Sequence, residues 1–301
     1  MLKAILPNRD NLEVDTTAAR VVAQYLHELR SITLIRLLVP LFIASQQHRG
    51  ASIALFEGNS AFKDRVDALQ NEIRNRFITL ETINKEFSET LTISETRQLR
   101  HEWETIRDWY GGTALENFRL HSHFTEQLMK LIWTLTERAS RFNARYDQMD
   151  NSEDNTDLLI WFLLHETPEL IELIAKIRGL ATHATALGYC DEEHSSWLRY
   201  LLVQLNQKKE VFREHLSALQ NYALKDVPAI IHLHIEDIKI VQLVQQVNEN
   251  VLNQSTIKIT GSDLFDMATA IIDSYSDVFE QGLSFVRSRI NRQLDDWHLE
   301  Y

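Results

Sequence analysis

The chain has 301 residues, a formal net charge of −12, and only 8 Gly, 4 Pro and 1 Cys. That length can bury a substantial core, in one large domain or two of ordinary size, and the scarcity of turn residues favours long helices over strands. The negative charge argues against nonspecific binding to nucleic acid or to an anionic membrane surface, and the lone Cys190 excludes an intramolecular disulfide framework and a Cys-rich zinc site.

Helical material is expected from about Thr16, with a break near Ser31, onward to Phe56, where Gly58 ends it and Asn59 or Ser60 caps the next helix. Phe62, Val66, Leu69, Ile73, Phe77 and Leu80 then recur at spacings of three and four, an amphipathic stripe. A third helix is predicted from about Ser94 to Tyr110, stopped by Gly111 and Gly112. Thr113 and Glu116 form a capping box for a fourth that reaches toward Tyr146. The acidic, pattern-free segment 147–157 marks a boundary, which divides the chain into residues 1–150 and 151–301. Beyond it, helices are predicted over Leu158–Leu187, Asp191–Tyr222, Pro228–Asn253 and from Ser262 nearly to the C-terminus. Four helices on each side, joined by short connections, predict an all-α fold of two up-and-down four-helix bundles.

Two arginine-glycine pairs stand in mid-helix, one in each half. Arg49-Gly50 lies on a stripe with Leu38, Phe42, Ser45, Ser52 and Phe56; Arg178-Gly179 lies on one with Ile171, Ile174, Ala181 and Thr185. Pro40 and Pro168 precede the pairs and Gly58 and Gly188 follow them at similar spacings, a weak internal repeat. An interior helix glycine costs ~1 kcal/mol relative to alanine, which close approach of a helix or ligand can offset. A guanidinium on an apolar stripe needs a carboxylate, a carbonyl, ordered water or a ligand. Its planar fork suits planar oxyanions, with Ser52 and Thr182 one turn on as added hydroxyl donors. The alternatives are a snorkelling arginine or an internal salt bridge beside a tight helix crossing.

The string QQHRGASIALFEG, followed by NSAFKDRVDALQNEI, resembles the nitrate- and nitrite-sensing (NIT) domain family: Gln46, Arg49, Gly50, Ser52, Gly58, Phe62 and the stretch Val66–Gln70 match its signature. IRGLATHATALG resembles the family's second arginine segment. The resemblance implies an all-helical sensor that binds nitrate or nitrite through Arg49 first and Arg178 second, with Gly50, Ser52, Gly179 and Thr182 as further contacts. Family members usually carry an attached output domain. Here the sequence ends at Tyr301 with the sensor's own last helix, so an output protein in trans is expected.

Other chemistry has little support. No His follows a Glu by three residues, as an inward di-iron pair requires; His121/His123 and His232/His234 fall on different helix faces. No metal, cofactor or enzyme motif is found, and Cys190 lies beside a helix start, where a thiol pKa can fall. The last helix aligns Leu264, Ala268, Ile271, Tyr275, Val278, Gly282, Phe285, Arg289 and Trp297, with its end free for a homodimer contact or for an output partner. Arg287, Arg289 and Arg292 are offset by Asp295, Asp296 and Glu300, a poor nucleic-acid surface. With no long apolar run near the amino terminus and only Ile32–Ala44 as an apolar stretch, the chain is expected to be soluble and cytoplasmic. The reading is a nitrate/nitrite sensor acting by helix rearrangement. The alternative is a helical adaptor without a small ligand.

Overall fold

The structure is a computed structural model that describes residues 9–87, 90–109, 111–139, 156–223, 226–254 and 257–300. Among the described residues there is helix and no strand, as the composition requires. The first half holds α1 (Arg9–Phe56), α2 (Lys63–Glu86), α3 (Ile93–Arg107) and α4 (Ala114–Ala139). In the second half, α5 runs through Thr156–Trp161, a π turn at Phe162–Glu166, and Thr167–Leu187. After it come α6 (Glu192–Ala223), a 3-10 turn at Pro228–His232 leading into α7 (Leu233–Val247), and α8 (Gly261–Glu300).

Local chemistry sets these boundaries. Gly58 and Gly188 take φ of 88° and 77°, the left-handed conformation that ends α1 and α5. Thr92 and Glu95 close a reciprocal capping box on α3. On α4 the Thr113 N–H donates to Glu116 Oε2 at 2.8 Å while the Glu116 N–H donates to Thr113 Oγ1 at 3.2 Å. Asp191 caps α6 by accepting the His194 N–H at 2.8 Å. Pro168 cannot donate to the turn before it, and Thr167 Oγ1 instead donates to the Phe162 carbonyl at 2.8 Å, across the π turn.

The expected break near Ser31 is absent: Ser31 is buried within an unbroken α1, which also carries Pro40 in its interior. A buried amphipathic face overrides the local preference of serine for turns. The acidic boundary segment 147–157 falls, up to residue 155, outside the described residues, as do Tyr110 and Tyr146. On α2 every residue of the predicted stripe is buried. Phe56, at the end of the Arg49 stripe, is exposed instead.

α1 packs on α2 and α4 of its own half and on α5 and α8 of the other, while α5 packs on α1, α4, α6 and α8. Buried apolar side chains from both halves join in one cluster running from Ile32 to Ile290. The two arginine-glycine segments therefore meet at the centre of the molecule. No helix among the described residues is long and apolar enough to cross a membrane.

Candidate anion site

Arg49 and Arg178 are both 0 % exposed, the two largest fully buried side chains. Their surroundings differ in one decisive respect. Arg49 is matched. Its Nη1 donates to Glu172 Oε1 at 2.7 Å and its Nη2 to Glu172 Oε2 at 3.2 Å, with Ser122 Oγ at 3.1 Å and Thr125 Oγ1 at 3.3 Å completing the fork. Gln46 Nε2 and Thr125 Oγ1 donate to the same carboxylate at 2.7 and 3.1 Å. Burial alone would push the Glu172 carboxyl up, but Arg49, Lys176 and these hydrogen bonds outweigh it and hold it below the usual range.

Arg178 is not matched. Its Nη1 donates to Thr269 Oγ1 at 2.8 Å, while Nε and Nη2 are buried without a hydrogen-bond partner among the described residues. Its guanidinium lies 4.6 Å from the Phe265 ring centroid. Burial, and then the nearby Arg49 cation, push Arg178 down to about 9, so it remains charged at neutral pH. Two buried donors on a cation are costly to leave unfilled.

The two surroundings share a common set of residues, although Gln46, His48, Ser52, Asn117, His121 and Thr125 have Ala175, Ile177, Ala181, Leu264, Ala268 and Ile272 at the matching positions. Arg49-Gly50 and Arg178-Gly179 are 129 residues apart, and at that separation Ile43, Ala44 and Gln47 on α1 correspond to Glu172, Leu173 and Lys176 on α5. On α4 and α8 the separation is 147 residues: Thr113, Glu116, Phe118, Ser122, Glu126 and Met129 correspond to Thr260, Asp263, Phe265, Thr269, Asp273 and Ser276. Contacts repeat with the residues. Arg49 stacks on Phe118 (5.1 Å) and donates to Ser122, as Arg178 stacks on Phe265 and donates to Thr269. Lys176 donates to Glu126 at 3.0 Å, as Gln47 donates to Asp273 at 3.3 Å. Thr113 and Thr260 both accept the N–H three residues on, at 3.2 and 3.1 Å.

Each glycine serves the opposite pair. A Cβ on Gly50 would stand 2.9 Å from Phe265 Cε2 and 3.4 Å from Arg178 Nε; one on Gly179 would stand 3.1 Å from Phe118 Cε2. The ring beneath each arginine is thus packed against the glycine of the other half. The contacts follow a register that the flanking residues of the sequence repeat do not share: Pro40 corresponds to Glu169 and Gly58 to Leu187, so Pro168 and Gly188 each stand one residue out.

Of the other predicted residues, Ser52 has a hydroxyl within 3.2 Å of both the Arg49 carbonyl and Asn117 Oδ1, and so turns away from a ligand role. Thr182 is fully buried with an unpartnered hydroxyl, one turn beyond Arg178 and beside Gly261. Glu172, Thr269 and Phe265 escape the sequence reading. The only trace of Glu172 is a carboxylate in the otherwise apolar run Leu170–Ile177, shared with Lys176. His121 Nδ1 donates to the Asn117 carbonyl at 2.8 Å and so offers Nε2 to the His48 Nδ1–H, also 2.8 Å away. Burial pushes His48 down to about 3, and burial with its neighbour His48 pushes His121 well down, so the pair adds no charge beside Arg49. No group of three metal-ligating side chains occurs among the described residues, and burial followed by Asp191 raises Cys190 instead of lowering it. Compared with protein-family models, with curated proteins and with solved structures, the chain matches none.

Proposed function

We propose that this chain is a sensor domain for a small monovalent oxyanion of the nitrate or nitrite class, which regulates a partner by shifting the packing of α1, α5 and α8. The observation that carries this reading is Arg178: a fully buried guanidinium with Nε and Nη2 unpartnered and no carboxylate at salt-bridge distance among the described residues. The one buried carboxylate near the two buried arginines, Glu172, is bonded to Arg49, and Arg178 is offset only at longer range by Asp273 and Glu172. A planar anion gripped through two N–H bonds supplies a directly bonded negative charge and fills both donors. The ligand can move the helices only through its differential affinity for two packings, and the tight seat of Phe265 between Gly50 and Arg178 gives it something to displace.

The resemblance set Arg49 first, whereas the geometry favours Arg178, because Arg49 already holds a carboxylate. That same pairing is what supports the rival reading, a helical adaptor whose arginines are purely internal. Calorimetric titration with nitrate, nitrite, chloride and sulfate separates the two. The sensor reading expects nitrate or nitrite to bind the wild type with micromolar to millimolar affinity and Arg178→Gln to abolish binding. Absence of binding to the wild type would overturn the sensor reading and leave the adaptor as the reading to pursue.

A further inference from the structure

Against the repeated ring, hydroxyl and mouth pair, one difference between the two centres is informative. At the position six residues before each arginine, α5 carries Glu172 and α1 carries Ile43. The ring, the hydroxyl and the mouth pair of the Arg49 centre have counterparts at Arg178, whereas the residues that bond to Glu172 do not: Thr125 corresponds to Ile272 and Gln46 to Ala175. The carboxylate, with these partners, is therefore what the Arg178 centre lacks. The surfaces outside the two centres also correspond. A cavity of about 410 Å³ is lined by Glu172, Leu173, Lys176 and Met129, and one of about 280 Å³ by Ile43, Ala44, Gln47 and Ser276; the charged groups of the second are Arg36, Arg76, Glu72, Asp273 and Glu280, and Arg178 lies behind its wall.

We infer that Glu172 is a built-in stand-in for the ligand, and that the anion reaches Arg178 from the Ile43–Gln47–Asp273 cavity to take the place that the Glu172 carboxylate holds at Arg49. This rests on the proposed oxyanion reading and specifies its site, its entrance and its stoichiometry of one anion per chain. The Lys176–Glu126 pair marks the closed mouth. The Gln47–Asp273 pair, a weaker amide–carboxylate contact at 3.3 Å, marks the open one. Other charged groups bearing on Arg178 are Arg49, Glu172, Asp273 and Arg65, the last paired with Asp266 at 3.0 Å.

The test is the number of nitrate ions bound per chain, measured by calorimetry at fixed ionic strength with circular dichroism as the fold control. Wild type is expected to bind one. Ile43→Glu supplies the missing carboxylate and is expected to weaken nitrate binding at least about 100-fold and to melt where nitrate-saturated wild type melts, whereas Ile43→Gln, similar in size and uncharged, keeps one site. Glu172→Ile is expected to open a second site, and the exchange Ile43→Glu with Glu172→Ile to return the number to one. Ile43→Glu binding nitrate as wild type does would overturn the inference. Should Ile43→Glu not fold, a stoichiometry that stays at one in Glu172→Ile overturns it equally. If wild type binds nitrate and these variants behave otherwise, only the stand-in role falls; if wild type binds none, the sensor reading falls with it.

Discussion

Arg49 and Arg178 have the same residue type, the same glycine neighbour and the same burial, yet they pose opposite problems. Arg49 is anchored by a bidentate carboxylate at 2.7 and 3.2 Å. Removing one partner of such a pair leaves the other buried and unpaired, so Arg49→Leu is expected to cost ~3–5 kcal/mol in urea denaturation. Arg49→Gln with Glu172→Gln removes both charges and should cost less than Arg49→Leu alone. A double change as damaging as that single one would show that the pair is not the anchor. At Arg178 the charge itself is the variable. Only the protonated guanidinium attracts an anion, and burial followed by Arg49 sets its pKa at about 9. The attraction is complete below that value and is lost as pH rises through it. The nitrate Kd should be flat from about pH 6 to 8 and rise about tenfold per unit above about 9, read from titrations at each pH.

Among the helices, α1 and α5 supply the cations and α4 and α8 supply the rings and hydroxyls beneath them. The glycines permit the crossing. Gly50→Ala places a methyl 2.9 Å from Phe265 Cε2, so the ring under Arg178 must shift, whereas Gly179→Ala crowds Phe118 under Arg49 at 3.1 Å. Both should destabilise by ~1–3 kcal/mol, less the ~1 kcal/mol that alanine gains in a helix. Their effects on ligand should differ: Gly50→Ala alters nitrate affinity by about tenfold or more, and Gly179→Ala leaves it nearly unchanged. Equal effects in calorimetry would mean that the two arginines share the ligand.

Over the whole molecule, what was legible in the sequence is what local chemistry decides. The Thr113–Glu116 capping box, the terminal glycines Gly58 and Gly188, the stripe on α2 and the burial of both arginines all follow from residues within a few turns of each other. Glu172 lies 123 residues from Arg49, and nothing near either residue announces the partnership. Which arginine is satisfied could not be read for that reason. The repeat was hidden by arithmetic instead: its α1/α5 part is separated by 129 residues and its α4/α8 part by 147, so no single shift aligns both. Between the two parts the second half is 18 residues longer, a length taken up in the region of α6 and α7. Once the two shifts are allowed, the pattern Thr-x-x-acid-x-Phe-x-x-x-hydroxyl is plain at Thr113–Ser122 and Thr260–Thr269.

The exchange of Glu172 for Ile43 at matching positions has a consequence for how such a molecule could signal. A protein built from two like halves stores information wherever they differ. Here the chain is lopsided at its centre, with Glu172 bonded to Arg49 in one half and Ile43 at the matching position of the other. Under the proposed reading, filling Arg178 makes the sides alike, so the bound state is the more symmetric of the two. A partner would then need no contact with the ligand; it would need only to distinguish a balanced pair of arginine centres from an unbalanced one.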